Sequence, residues 1–151
     1  MRMIHQLGQF LTRVMLRKQA HEYPVARQEL EAAYKSLLGM SPSFIRNFSD
    51  AQLMELFGND QDTIVPKCYV LGSLMKEEGE ILQLEGNETD GRALLIRSLS
   101  LLLSSFNMAE DEAEPGHRGK ISDLIAKLEE EKIPSLVKEK LFQYDELRGL
   151  K

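Results

Sequence analysis

Carboxylates, one thiol and three imidazoles are the groups in this 151-residue chain from which chemistry would have to be built. Glu77, Glu78 and Glu80 crowd one stretch, and two of them stand about one helical turn apart. Paired carboxylates serve general acid–base catalysis when burial or a neighbouring charge tunes their pKa values. The flanking sequence gives no sign of such tuning, so a solvated helix face is expected. The acidic stretch from Asp60 fails as a calcium loop. Its third position is Asp62, but its fifth is Ile64 and its twelfth Leu71. His5, His21 and His117 lie far apart and outside any HExxH spacing, so surface or partly packed imidazoles are expected rather than metal ligands. Cys68 is the only cysteine. It precludes an intrachain disulfide, suits a reducing cytoplasm, and reads as a small buried hydrophobe rather than a reactive thiol. Neither GxGxxG nor GxxxxGK[ST] occurs, so no glycine loop for phosphate is present. No cofactor is expected, and no catalytic or metal residue is assigned.

The elements that would position these groups are helical, for strand alternation and hairpin dipeptides are nearly absent. A first helix spans about 2–20. A second, after Pro24, carries Ala26, Leu30, Ala33, Tyr34 and Leu37 on one face and closes at Gly39. Ser41-Pro42 opens a short turn through Phe44 and Ile45. Ser49 and Gln52 form a capping box before Leu53, Met54, Leu56 and Phe57, with Gly58 as a left-handed cap. After a polar loop over 58–62, a long helix is predicted from near Pro66 to about Glu85. Asn87 is expected to cap the next, over about 88–106, which is apolar nearly all round and should be deeply buried. Residues 107–119 read as a mobile acidic loop. Ile121, Leu124, Ile125 and Leu128 mark an amphipathic helix. Beyond Pro134 the last helix carries Leu136, Val137, Leu141, Tyr144 and Leu147, ending at Gly149.

Charge bounds the partners. The net charge of −5 and pI near 5.3 argue against a nucleic-acid binder. Residues 1–50 hold seven Lys/Arg against four Asp/Glu, +3, and residues 51–151 hold twelve against twenty, −8. Such asymmetry favours head-to-tail self-association as readily as it reflects ordinary surface variation. Residues 1–21 are basic and free of acids, as a transit peptide or membrane-surface helix would be. The expected reading is instead a first helix whose apolar face, from Met3 to Met15, packs into the domain. Gln6, Gln9, Thr12 and Arg13 interrupt any secretory core. The longest apolar stretch, 93–103, is too short and polar to span a bilayer. A cytoplasmic protein without a membrane partner follows as the expectation.

Residues 17–38 and 82–103 repeat at an offset of 65. Ala26 matches Gly91, Leu30 matches Leu95, Ala33 matches Ser98 and Leu37 matches Leu102. Within 72–103, Gly79, Gly91 and Ser98 fall at small positions, Leu82 and Leu95 at large ones, and Gly86 at a turn. This resembles the tetratricopeptide repeat, a helix-turn-helix unit whose small residues let paired helices approach closely. Residues 4–38 match more loosely, and 141–149 resemble a further first helix reaching its turn glycine. The signature Trp is missing, and short helices replace a middle repeat. The whole string is also similar to an uncharacterised bacterial family of tetratricopeptide-like proteins, for which no catalytic residue is assigned.

The resemblance implies an all-α fold: one domain over 1–151 of antiparallel hairpins, with about six to eight helices in a right-handed superhelix. It implies a non-catalytic scaffold for a protein or peptide. Carried over by position, Ser73, Lys76, Glu80 and Gln83 would face the concave groove. The Lys/Asn clamp that some members use for a C-terminal carboxylate is not reproduced. At residue 151 a shortened chain, a capping helix and a subunit contact are the three readings, with a capping helix expected. The competing functional reading is a small helical-bundle enzyme or metal-dependent hydrolase using the acidic residues.

Overall fold

Helix-forming residues at 3–4 spacing, punctuated by glycine and proline, give a succession of helices in the computed structural model, which describes residues 2–58 and 60–149. Among the described residues there are eight α-helices and no strand. They are α1 (Arg2–Gln19), α2 (Tyr23–Leu38), α3 (Pro42–Ile45), α4 (Asp50–Phe57), α5 (Gln61–Leu84), α6 (Glu88–Met108), α7 (His117–Lys127) and α8 (Ser135–Leu147). Single 3-10 turns stand at Glu110–Glu112 and Glu130–Lys132. Asn59 of the expected polar loop, and Lys151, at which the array was expected to close, lie outside the described residues.

Several terminal signals act as their residue types dictate. Ser49 and Gln52 form both halves of the capping box, and Ser41 accepts from the Phe44 N–H. Gly39 ends α2 in the left-handed region at φ 70°. Three expectations are corrected. Gly58 sits at φ 110°, ψ 179°, outside the left-handed helical region. Asn87 makes no side-chain cap, and the first-turn acids Glu88 and Asp90 are left to offset the α6 dipole. The long helix begins at Gln61, not near Pro66, because the Asp60 side chain accepts from the Asp62 N–H and starts it a turn and a half earlier. Pro66 is tolerated near that end, where its missing N–H costs a single bond.

The central unit is the antiparallel hairpin of α5 and α6, with α1 and α2 packed on its α5 side, α7 and α8 on its α6 side, and α4 across both. Two glycines make the hairpin tight. A Cβ on Gly79 would stand 2.9 Å from the Gly91 carbonyl oxygen, and one on Gly91 would stand 2.8 Å from the Gly79 oxygen. Ser98 donates to the Gly72 carbonyl at 2.6 Å and Ser105 to the Val65 carbonyl at 2.8 Å, so α6 is bonded directly to the α5 backbone. Leu95, Leu99 and Leu101 to Leu103 are fully buried, as the all-round apolar pattern of α6 demands. The α1 apolar stripe is also packed: Leu7 and Val14 are buried, and Met3, Ile4, Phe10 and Leu11 lie against the core. Among the described residues no helix is long and apolar enough to cross a membrane.

Candidate functional site

The four groove candidates are placed mostly inside. Ser73, Lys76 and Glu80 are buried on α5, while Gln83 is half-buried with its Cγ against Gly91. Lys76 and Glu80, one helical turn apart, are joined at 2.8 Å, and Lys76 also meets Asp123 of α7 at 2.8 Å. Glu80 further accepts from Lys18 of α1 at 2.7 Å and from Lys127 of α7. Lys18 also bonds Glu77 at 2.9 Å. Ser73 carries its hydroxyl oxygen buried without a hydrogen-bond partner among the described residues.

This overturns the expectation of a solvated face at Glu77, Glu78 and Glu80. Glu78 and Glu80 are each 8% exposed. Glu78 takes the buried Tyr34 hydroxyl at 2.8 Å and the Arg46 guanidinium. A buried carboxylate survives only when paired and hydrogen-bonded, and both are. At Glu80, burial works to raise the pKa, but hydrogen bonds from Lys127, Lys18 and Lys76 outweigh it and hold the carboxyl at about 2. At Lys76, burial works downward and is outweighed by Asp123 and Glu80, leaving the amine above its ordinary value. Groups held firmly ionised in mutual pairs tie α1, α5 and α7 together. They are poor proton shuttles.

The concave feature lies elsewhere, where the start of α5, the end of α6, the Glu110–Glu112 turn and the start of α7 enclose about 550 Å³. Ile4, Val65, Pro66 and Leu147 give it apolar walls, and Ser105, Asn107 and His117 add polar groups. Gln61 and Tyr69 also line it, as do five carboxylates, Asp62, Glu110, Asp111, Glu112 and Glu114. None of these five carboxylates takes part in an ion pair among the described residues. On α5 the opposite holds, for Glu77, Glu78 and Glu80 are all matched.

His117 is the residue that sequence reasoning placed wrongly, in a loop and near the surface. It opens α7, is 2% exposed, and packs its ring against Tyr69 and edge-on to Phe106. Its Nε2 lies 2.7 Å from the Leu102 carbonyl, which can only accept, so the proton sits on Nε2. Burial, reinforced by the nearby Lys120 amine, lowers its pKa to about 4 against the raising effect of that bond. Beside it, burial and the Lys76 charge bring Lys120 down to about 8, and its Nζ donates to the Tyr69 hydroxyl at 2.7 Å. Asn107 gives its amide N–H to the Lys140 carbonyl at 3.0 Å, and its Oδ1 is buried without a partner among the described residues. Cys68 is fully buried, as expected, and burial pushes its thiol up to about 12. Among the described residues no three His, Cys, Asp or Glu side chains are grouped to hold a metal ion. The chain matches no family model, no curated protein and no solved structure.

Proposed function

We propose that this chain is a non-catalytic helical scaffold that binds a segment of a protein or peptide, and that the segment lies in the cleft at the α5–α6–α7 junction. One observation carries the reading. A cavity of about 550 Å³ joins apolar walls to five carboxylates, none of which is in an ion pair among the described residues. Recognition sites of this size combine apolar surface with a few convergent polar groups. We read the hairpins as tetratricopeptide-like. The close approach of Gly79 to Gly91, and the Ser98 contact with Gly72, supports this, because these residues occupy the repeat's small positions. Ser73, Lys76 and Glu80 then serve the scaffold's cohesion, and binding falls to the cleft. The reading takes the protein as cytoplasmic, which the single buried thiol of Cys68 supports.

The test is site-specific photo-crosslinking in cells. A photoreactive residue replaces Ala113 in the cleft, and a control replaces Lys35 on the exposed side of α2. Position 113 should capture one defined segment of a polypeptide that position 35 does not. Equal capture at both positions, or unrelated segments at 113, would overturn the reading.

A further inference from the structure

We infer that the cleft is built for a cationic, donor-rich group carried on an alkyl stem, such as the ammonium of a lysine or the guanidinium of an arginine. This rests on the scaffold reading for the source of that group, a peptide segment. Its basis is the negative charge of the lining and the accepting atoms left open beside it.

Four polar side chains of the lining spend a donor on a backbone carbonyl. Ser105 gives its hydroxyl proton to Val65, His117 its Nε2 proton to Leu102, Asn107 an amide proton to Lys140, and Gln61 one to Met108 at 2.6 Å. Asn107 and Gln61 each keep a second amide N–H, and the Tyr69 hydroxyl, which accepts from Lys120, keeps its own proton, but open accepting positions stand beside them. With its proton on Nε2, His117 has a lone pair on Nδ1, and no hydrogen bond occupies it among the described residues. Asn107 keeps a buried Oδ1 without a partner. Around these acceptors stand the five unpaired carboxylates.

Two cations of α7, Arg118 and Lys120, flank His117 without lining the cavity. The Arg118 guanidinium is over the Phe106 ring, and the Lys120 amine is over the Tyr69 ring and donates to its hydroxyl oxygen. A lining with five carboxylates repels an anionic ligand and leaves its charges uncompensated beside a neutral apolar one. An ammonium or guanidinium supplies several donors with a positive charge, while its stem covers Ile4, Val65 and Leu147.

The experiment uses the purified full chain on a support and two synthetic peptide pools with the same apolar residues. One pool carries lysine and arginine, and the other carries norleucine and citrulline in their place. Retained peptides are counted by mass spectrometry, and spermine is titrated separately while the Asn107 and His117 side-chain resonances are followed. The cationic pool should be retained about tenfold more than the neutral one, with retention falling as salt rises. The variant Glu110→Gln, Asp111→Asn, Glu112→Gln, Glu114→Gln should lose that preference while keeping wild-type circular dichroism. If it does not fold, Asp62→Asn, an exposed single change, should show a partial loss. Equal retention of both pools would leave the scaffold reading standing and overturn this inference. Spermine binding with neither pool retained would support the cationic site and overturn the peptide reading. Silence from all three probes, or undiminished preference in the folded variant, would overturn the inference.

Discussion

Replacing Glu80 by glutamine tests whether the interior charge network holds the helices together. The change keeps the side chain's size and removes one negative charge. It leaves Lys18, Lys76 and Lys127 facing only Glu77 and Asp123. The carboxyl lies at about 2 in the folded chain against an ordinary 4.5. At 1.36 kcal/mol per unit the ionised form is favoured by roughly 3 kcal/mol on folding, which is also the scale for breaking a buried pair. A carboxyl depressed by folding contributes stability above its unfolded value and loses it as pH falls through the folded one. Urea denaturation followed by helical circular dichroism should therefore show Glu80→Gln less stable by about 3 kcal/mol at neutral pH. The gap between the two proteins should stay level down to about pH 5, then close between 4.5 and 2. Equal stability at neutral pH, or a gap that persists unchanged at pH 2, would refute the argument.

Two further perturbations probe the packing and the cleft. Gly79→Ala adds a Cβ 2.9 Å from the Gly91 oxygen and from Leu95 Cδ2. Alanine's better helix propensity, worth about 1 kcal/mol, should be outweighed by overpacking of about 1–3 kcal/mol, lowering the thermal midpoint; a raised midpoint would refute close packing there. His117 should remain the neutral Nε2-protonated tautomer in nitrogen NMR well below pH 6, titrating near 4. Because folding lowers this pKa, its contribution is present above about 6.5 and is lost as pH falls towards 4, so a titration near 6.5 would contradict its burial.

Local signals were legible in the chain, and signals that depend on distant partners were not. Ser49 with Gln52 could be read because both halves of the cap lie within one turn. The burial of α6 could be read because it needs only its own leucines. Glu78 and Glu80 looked solvated because Tyr34, Arg46, Lys18 and Lys127 come from other elements, up to 62 residues away. Lys76, four residues before Glu80, was the one local hint of pairing. His117 stood among glycine and charged residues that suggest a loop, and the carbonyl that buries it is on another helix. Pro66 was read as a helix start because Asp60 capping outcompeted a cue that is common but not obligatory. The cleft itself had only its acids visible in sequence. Their gathering around one cavity with His117 and Asn107 exists only once α5, α6 and α7 meet.

The two serine bonds between α6 and α5 have a mechanical consequence. Ser98 and Ser105 are seven residues apart, and so are the carbonyls they reach, Gly72 and Val65. Bonds repeated at the same interval on both helices work as a ratchet stop. Sliding one helix past the other breaks both at once and drives the Gly79–Gly91 contact out of step. One wall of the cleft is thus held in register by the hairpin itself, whereas the opposite wall, the Glu110–Glu112 turn and the chain leading to Gly116, lies outside that pair of bonds; under the proposed function, ordering on binding would fall on that segment.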